Sequence, residues 1–519
     1  MPVDSKHPQY EAASRRWTRV RDVRSGSDAV KMRGEVYLPR LSGQSWDDYE
    51  QYRFRAMFLP VVSRTVQTLV GLAGMKRPEL VAPGHVEELA PYIGSEGQPL
   101  ERLVATIMEE VVSVGRVGAL VDLPEGGSYP CVSLYHCENI VNWREAKING
   151  KWTPVSIVLS EERLMQSDDP YERKYETIYR ELAFGVPPTA GGNADERMEF
   201  AANAYAMTPS EVESGVYYQA IWSKDQTEDA KKRKNDTYRI EEVIVPRRPG
   251  GSSFAEIPFR CFNAGHLGMR VGDVPMDHLA TVNISHYLNS ADLEWGRHFT
   301  ALPTAWLAGF DMKGDLTIGS TRCWVAEDPS AKAGFLEFSG QGLGHLQTGM
   351  EHKEREMAAL GVRFLDVTAD GPEKPESIRL RLQGDRAALV SIMDVVEDGV
   401  EELLRFACNF LSAADMDEDI NFSMPRDFTE TRIDPQVLSE VVKSVQSGLL
   451  SWESFVGILA SSALLPDGVT ADEEARRLLA GIPGGLAAPG GDLEGADEAP
   501  VPPQQDDEDE TEESEDYDA

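Results

Sequence analysis

The chain has 519 residues, 41% hydrophobic and 27% charged, which is enough for several substructures around a sizeable core and excludes a disordered or fibrous chain. Its 87 Asp and Glu against 51 Lys and Arg give a net charge of −36; 14 of the acids lie in 492–518, so the remainder still carries −22. Such a balance argues against tight phosphate binding, which needs Lys and Arg to displace counterions, while it serves solubility.

The opening MPVDSKHPQY is polar and does not read as a signal peptide. Residues 7–115 read as mainly helical. Over 49–73 a helical stripe runs through Phe54, Phe58, Val62, Val66, Leu69 and Leu72, and Pro60 is expected to kink or split it. The most apolar run, 57–75, is interrupted by Ser63, Arg64 and Gln67, so no membrane span is expected. Residues 100–114 repeat the pattern with Leu103, Val104, Ile107, Met108 and Val111, and Gly115 and Gly118 are expected to end that helix and open a strand.

From 118 to 262 the chain reads as β-rich, with alternating or β-branched runs in CVSLYHCENIVNWR, TPVSIVLSE, YETIYRELAF, GVYYQAIWS, DTYRIEEVIVP and EIPFRCFNA. Residues 187–208 are rich in Gly and Ala and read as a loose loop. The basic run Lys231, Lys232, Arg233, Lys234 is expected at a hairpin tip, as a solvated turn.

Residues 277–300, DHLATVNISHYLNSADLEWGRHFT, carry a narrow apolar stripe at Ala280, Ile284, Tyr287, Leu288, Ala291, Trp295 and Phe299. A second polar helix is expected over 343–360, striped by Leu343, Leu346, Met350, Met357 and Leu360. Between them TAWLAG, TRCWVA and GFLEFS read as short strands. Each helix buries a narrow face, as in a shaft made of many copies side by side. The longest clean helix is expected over 385–411, on Leu389, Ile392, Val396, Val400, Leu403, Ala407 and Phe410. Further helices follow over 434–480, opened by Asp434-Pro435. From Gly481 the chain turns Gly/Ala/Pro-rich and then acidic, and reads as disordered.

Four stretches resemble the portal proteins of tailed double-stranded DNA bacteriophages: YLPRLSGQ (37–44), NIVNWRE (139–145), NISHYLNSAD (283–292) and the step from GQGLG (340–344) into a helix. Their order along the chain matches the family over about residues 7–480. The resemblance implies an α+β portal fold with an N-terminal wing (1–276), a first stem helix (277–300), a clip (301–341) and a second stem helix (342–361). A tunnel loop and return to the wing (362–384), a long wing helix (385–432), a helical crown (433–482) and the acidic tail (483–519) complete it.

It also implies a homo-oligomeric ring, in the family usually of twelve subunits, at one capsid vertex of the virion and in the host cytoplasm during assembly. Double-stranded DNA passes through it in packaging and ejection. The implied partners are the terminase large subunit, the major capsid protein and a head–tail adaptor or tail protein; no membrane is involved. Lys374, Arg379 and Arg381 are the charges expected near DNA. Arg379 and Arg381 read equally as one face of a strand paired with acids. Trp306, Trp324 and Phe335 are expected at the clip, as partner anchors or, for most of them, as its core. An acidic bore would keep DNA mobile by like-charge repulsion.

No catalytic chemistry emerges. The chain has no G-x-x-x-x-G-K-[ST], G-x-S-x-G or H-E-x-x-H, so ATP hydrolysis would have to come from another chain. Gly340 to His345 only partly resembles a dinucleotide fingerprint and reads better as a turn aiming a helix. Cys131, Cys137, Cys261, Cys323 and Cys408 are scattered, and His136 beside Cys137 reads as a satisfied histidine in an alternating strand. His278, His286 and His298 share one helix at spacings too long for one metal. No cofactor, no metal site and no enzyme activity are therefore expected. A different non-enzymatic virion structural or scaffolding protein is the alternative, and an enzyme on an unfamiliar α+β fold a third.

Overall fold

The computed structural model describes residues 2–124, 126–148, 150–165, 169, 171–188, 203–205, 207–225, 238–301, 304–309, 329–336, 341–361, 375–412, 420–426, 435–447, 449–451 and 454–455. The helices are α1 (Pro8–Ser25), α2 (Ser27–Met32), α3 (Trp46–Arg55), α4 (Val61–Ala73), α5 (Gly84–Glu87) and α6 (Leu100–Ser113). They continue with α7 (Pro209–Ser214), α8 (Asp277–Ala301), α9 (Gln341–Leu360), α10 (Pro375–Leu411) and α11 (Pro435–Gln446). The strands are β1 (Glu79–Val81), β2 (Arg116–Asp122), β3 (Cys131–His136), β4 (Ile140–Ile148), β5 (Lys151–Met165) and β6 (Lys174–Gly185). They end with β7 (Val216–Lys224), β8 (Tyr238–Ile244), β9 (Phe259–Asn263), β10 (Thr304–Ala308), β11 (Lys332–Leu336) and β12 (Asn421–Ser423). The fold is mixed α and β.

Two compact units divide the chain, Met1–Phe428 and Thr429–Ala519. The second is described through α11, which opens at Pro435 where the Asp-Pro signal placed a start. In the first, β4 to β8 form a five-stranded antiparallel meander in sequence order, and β3-β2-β9 a three-stranded antiparallel sheet. Tyr135 of β3 donates to Glu161 of β5 at 2.6 Å, which ties the two sheets together.

Side-chain caps open three of the helices. His7 precedes Pro8 and accepts from Gln9 N–H, and Ser45 accepts from Asp48 N–H. Thr208 and Glu211 form a reciprocal capping box for α7, a short helix whose Thr-x-x-Glu signature the sequence reading passed over. The 49–73 stripe is split, as Pro60 required, into α3 and α4. The split rotates α3, so Tyr49 and Tyr52 face inward while Phe54, expected in the stripe, is 81% exposed.

One large core joins α1, α4, α6, β2, β9, α8 and α10. The expected stripes of α6 and α10 are buried or packed against it. Two glycines make close approaches possible. A methyl group on Gly118 would lie 2.3 Å from Phe259 Cζ, so this glycine is a packing site inside β2 rather than a helix stop. One on Gly399 would lie 2.2 Å from Phe262 Cε1, so α10 can lie directly on β9 only with glycine there. Helix α10 begins at Pro375, about ten residues before the expected start. The return over 375–384 is therefore helical and not a strand, because Pro375 fits a first turn and the run to Leu411 continues the period. The pairing of β1 with β12 had no sequence signal beyond three residues in each.

Arginines of α1 are held by an ionic cluster at α6 and β3. Arg21 donates to Glu110 through two bonds of 2.7 and 2.5 Å and to Glu138 at 3.0 Å; His136 Nδ1 lies 3.0 Å from Glu110, and Arg24 pairs with Glu109. His136 stands at the exposed end of β3, with Cys137 buried beside it. Burial pushes the Glu110 carboxyl up, but hydrogen bonds from His136 and Arg21 outweigh it and hold it at about 2. The same bond to Glu110 raises His136, against its own desolvation.

Glu110 is 4% exposed, and truncating it takes two bonds from a partly exposed Arg21 that keeps Glu138. Glu110→Ala should cost ~1–3 kcal/mol in urea denaturation. The Glu110 contribution is complete above its ordinary 4.5 and fades as pH falls toward 2. The His136 contribution is complete below its ordinary 6.5 and fades as pH rises through the raised value. The difference between wild type and Glu110→Ala should thus be largest between these limits and shrink on both sides.

Candidate functional site

Helices α8 and α9 form an antiparallel pair closed at one end by the β10–β11 hairpin. Methyl groups built on Gly296 and Gly349 would lie 2.5 Å from Leu343 Cδ2 and 3.5 Å from Asn289 Nδ2. Farther along, His286 Nε2–H donates to Glu354 Oε1 at 3.1 Å, and Lys353 Nζ donates to the Ser285 carbonyl at 2.9 Å. Rising numbers on α8 thus meet falling numbers on α9. At the far end a methyl on Gly361 would meet Thr65 Oγ1 at 2.9 Å, so the pair returns to α4. Burial lowers the Lys353 ammonium, and its bond to a backbone carbonyl compensates part of the lost hydration.

The first half of α8 is seated in the body by polar contacts. Its first residue, Asp277, accepts from Arg16 Nε at 3.0 Å and from Arg19 at 2.9 and 2.6 Å. An acid at a helix N-terminus also suits the helix dipole. Residues 56–60, where Pro60 breaks the helix, leave backbone groups that need partners. Ser290 Oγ accepts from Met57 N–H at 2.7 Å, and Asn283 Nδ2 donates to the Leu59 carbonyl at 3.0 Å. Tyr52 donates to Asp292 at 2.6 Å and meets Trp295 edge-on.

The narrow apolar face expected for this helix is therefore incomplete. Asn283, His286 and Ser290 are buried alongside Leu279, Ala280, Tyr287 and Ala291. A small-polar stripe at spacings of three and four beside the apolar one was the available signal. Toward the hairpin α8 becomes exposed, with Phe299 42% exposed.

In the hairpin Thr304 pairs with Leu336 and Trp306 with Gly334. The Trp306 ring lies over Gly334, within 2.9 Å of where a methyl would stand. Trp306 and Phe335 are 44% and 52% exposed, so neither is a buried core residue. Trp324, Phe338 and the strand expected at 321–326 lie outside the described residues, as do Lys374 and the run 231–234. Arg379 and Arg381 fall in the opening turns of α10. Most of 187–208 and everything after 455 are likewise outside.

Among the described residues no group of three or more His, Cys, Asp or Glu is placed to hold a metal ion. No helix there is long and apolar enough to cross a membrane. A cleft of about 690 Å³ is lined by Gln9, Arg16, His266, Arg270 and Asp273, with Arg16 committed to Asp277.

A family model described as a domain of unknown function, DUF4055, matches residues 275–411, from the root of α8 to the end of α10. No curated protein matches. Similar solved structures include the neck of an empty gene transfer agent particle computed with C6 symmetry, at 13% identity over 84% of this chain and 99% of that one, with a TM-score of 0.38. The virion of the native gene transfer agent particle gives 13% identity, coverage of 83% and 98%, and a TM-score of 0.40. The neck of the native particle computed with C12 symmetry gives 12%, 88% and 99%, and 0.36. Likeness at this level assigns no fold.

The seating of α8 on the broken corner is testable. Ser290→Ala leaves the Met57 N–H without its partner and should cost ~1–3 kcal/mol, while Asn283→Ala leaves the Leu59 carbonyl its bond from Val61 N–H and should cost ~0.5–1.5 kcal/mol. Thr281→Ala on the exposed side of α8 should change stability by less than about 0.5 kcal/mol. Urea midpoints of the three variants make the comparison.

Proposed function

We propose that this chain is the repeating subunit of a portal-type ring, a conduit for double-stranded DNA at a capsid vertex. The observation that carries the reading is the antiparallel α8–α9 pair, rooted in an α/β body at one end and capped by a small hairpin at the other. The ordered portal-like stretches 37–44, 139–145, 283–292 and 340–344 flank and include this unit.

In this reading the chain is not an enzyme and works by geometry and charge. Copies packed side by side would enclose a channel, and rotational closure requires two different faces to meet. The acidic balance disfavours adhesion of phosphates to the wall. A separate terminase subunit would supply ATP hydrolysis and dock at the hairpin, where Trp306 and Phe335 offer exposed aromatic anchors. A head–tail adaptor would take the same end after packaging, and the major capsid protein would hold the body.

Electron microscopy of the purified full chain, with its mass in solution, should give rings with a central hole and a mass near twelve subunits. Deleting residues 302–339 should leave rings intact and abolish binding of the terminase motor. A deletion variant that still docks the motor would remove the hairpin from this role. A chain that forms no closed ring would favour another virion structural or scaffolding role.

A further inference from the structure

Two exposed surfaces of the body carry unpaired charge of opposite sign beside apolar side chains. The first is an arm made by β4 and β5. Their register runs out to Ile148 opposite Lys151, whereas β6 follows β5 back only to Ser156, so 144–155 form a two-stranded ribbon with no third strand. Residues opposite one another across a ribbon share a side. Lys147 therefore stands beside Trp152 on one side and Lys151 beside Ile148 on the other, with Trp152 and Ile148 69% and 46% exposed. Residues 144–152 hold Arg144, Lys147 and Lys151 against Glu145 alone, in a chain of net charge −36. Among the described residues none of these three cations is in an ion pair. A lone two-stranded ribbon is marginal in water, so a surface that covers the arm also stabilises it.

The second surface is the excursion from Glu79 to Glu101, which holds five Glu and no Lys or Arg. It lies along the edge of β3, where Ser95 N–H donates to the Val132 carbonyl at 2.9 Å and Val132 N–H to the Ile93 carbonyl at 2.8 Å. Glu87, Glu88 and Glu96 are exposed, and among the described residues none of them is in an ion pair. Other acids of the body, such as Glu50, Glu176 and Glu294, have an arginine of the same chain beside them. On this surface Tyr92 meets Tyr129 edge-on at 6.0 Å, the two being 42% and 55% exposed.

The phosphate backbone of a duplex would match the cations of the arm and leave Ile148 and Trp152 uncovered. The 79–101 surface matches both, with carboxylates for the ammonium groups and tyrosine rings for the apolar side chains. We infer that the β4–β5 arm of one copy docks on the surface around Glu88, Tyr92 and Glu96 of a second copy of this chain. A contact between unlike faces propagates from copy to copy and closes into a ring when the rotation allows. The inference rests on the ring reading above and names the two faces through which that ring closes.

The test is a charge swap in the full chain. Lys147→Glu with Lys151→Glu reverses the arm, Glu88→Lys with Glu96→Lys reverses the docking surface, and a third variant carries all four changes. Arg173→Glu with Lys174→Glu is a control of equal charge change, and all six positions are exposed, so each variant should fold, as circular dichroism and thermal melting will show. Light scattering and electron microscopy then give the assembly state. Each reversal alone should lower the yield of rings about ten-fold at equal concentration, and the four-change variant should restore it. The control should assemble like wild type. A folded arm reversal that assembles like wild type overturns the inference and leaves the ring reading standing; so does one that keeps its rings but loses binding of duplex DNA, which makes nucleic acid the occupant. Two reversals that each disperse the rings, with no rescue when combined, show that the two faces do not meet and overturn it as well. Wild type that forms dimers or open chains, dispersed by each reversal and restored by the combination, overturns the ring reading and leaves the contact standing. A wild-type monomer at every salt and protein concentration overturns both.

Discussion

The seating of α8 on the broken corner between α3 and α4 is the interaction on which the rest of the body depends. Proline at position 60 stops a helix in mid-course and frees backbone donors and acceptors at the corner. Ser290 and Asn283, two turns apart on α8, supply their partners. Arg16 and Arg19 fix the same helix at its first residue. Because α9 is joined to α8 through Gly296–Leu343, Lys353–Ser285 and His286–Glu354, whatever holds α8 also aims the hairpin. A helix held by apolar packing alone could slide or rotate; one held by directional bonds at three heights has a single position.

The chain is strongly acidic, yet its N-terminal helix is rich in arginine, and those arginines are mostly committed internally. Arg16 and Arg19 serve Asp277, Arg21 serves Glu110 and Glu138, and Arg24 serves Glu109. They neutralise carboxylates that packing has drawn out of water, where an unpaired charge is costly. A basic stretch on an acidic protein invites a reading as a nucleic-acid site, and here the bonds direct it to the fold instead. Outward on this helix stand Glu11, Arg15 and Thr18, with Arg15 at the cleft edge.

Legibility in the sequence followed the physics of each element. Periodicity located α6 and the later part of α10, because a buried face there repeats cleanly along a regular backbone. Alternation located β3 to β9 for the same reason. Phe54 was misread because the stripe was carried across Pro60, and a break resets the phase of the face. The start of α10 was misread because Ile378, Leu380 and Leu382 alternate locally, although Pro375 and the downstream period favour helix. Gly118 looked like punctuation and, like Gly399, serves as clearance for a phenylalanine ring.

The sequence by itself determined most kinds of element, their order, the acidic balance and the helix–β–helix unit. Those are written in nearest neighbours and short periods. It could not determine that Asn283, His286 and Ser290 would be buried, or that Asp277 would meet two arginines from more than 250 positions away. Nor could it decide that Trp306 and Phe335 would stay exposed. Burial of a polar group is favourable only when a partner arrives from elsewhere in the chain. Only the tertiary structure brings that partner.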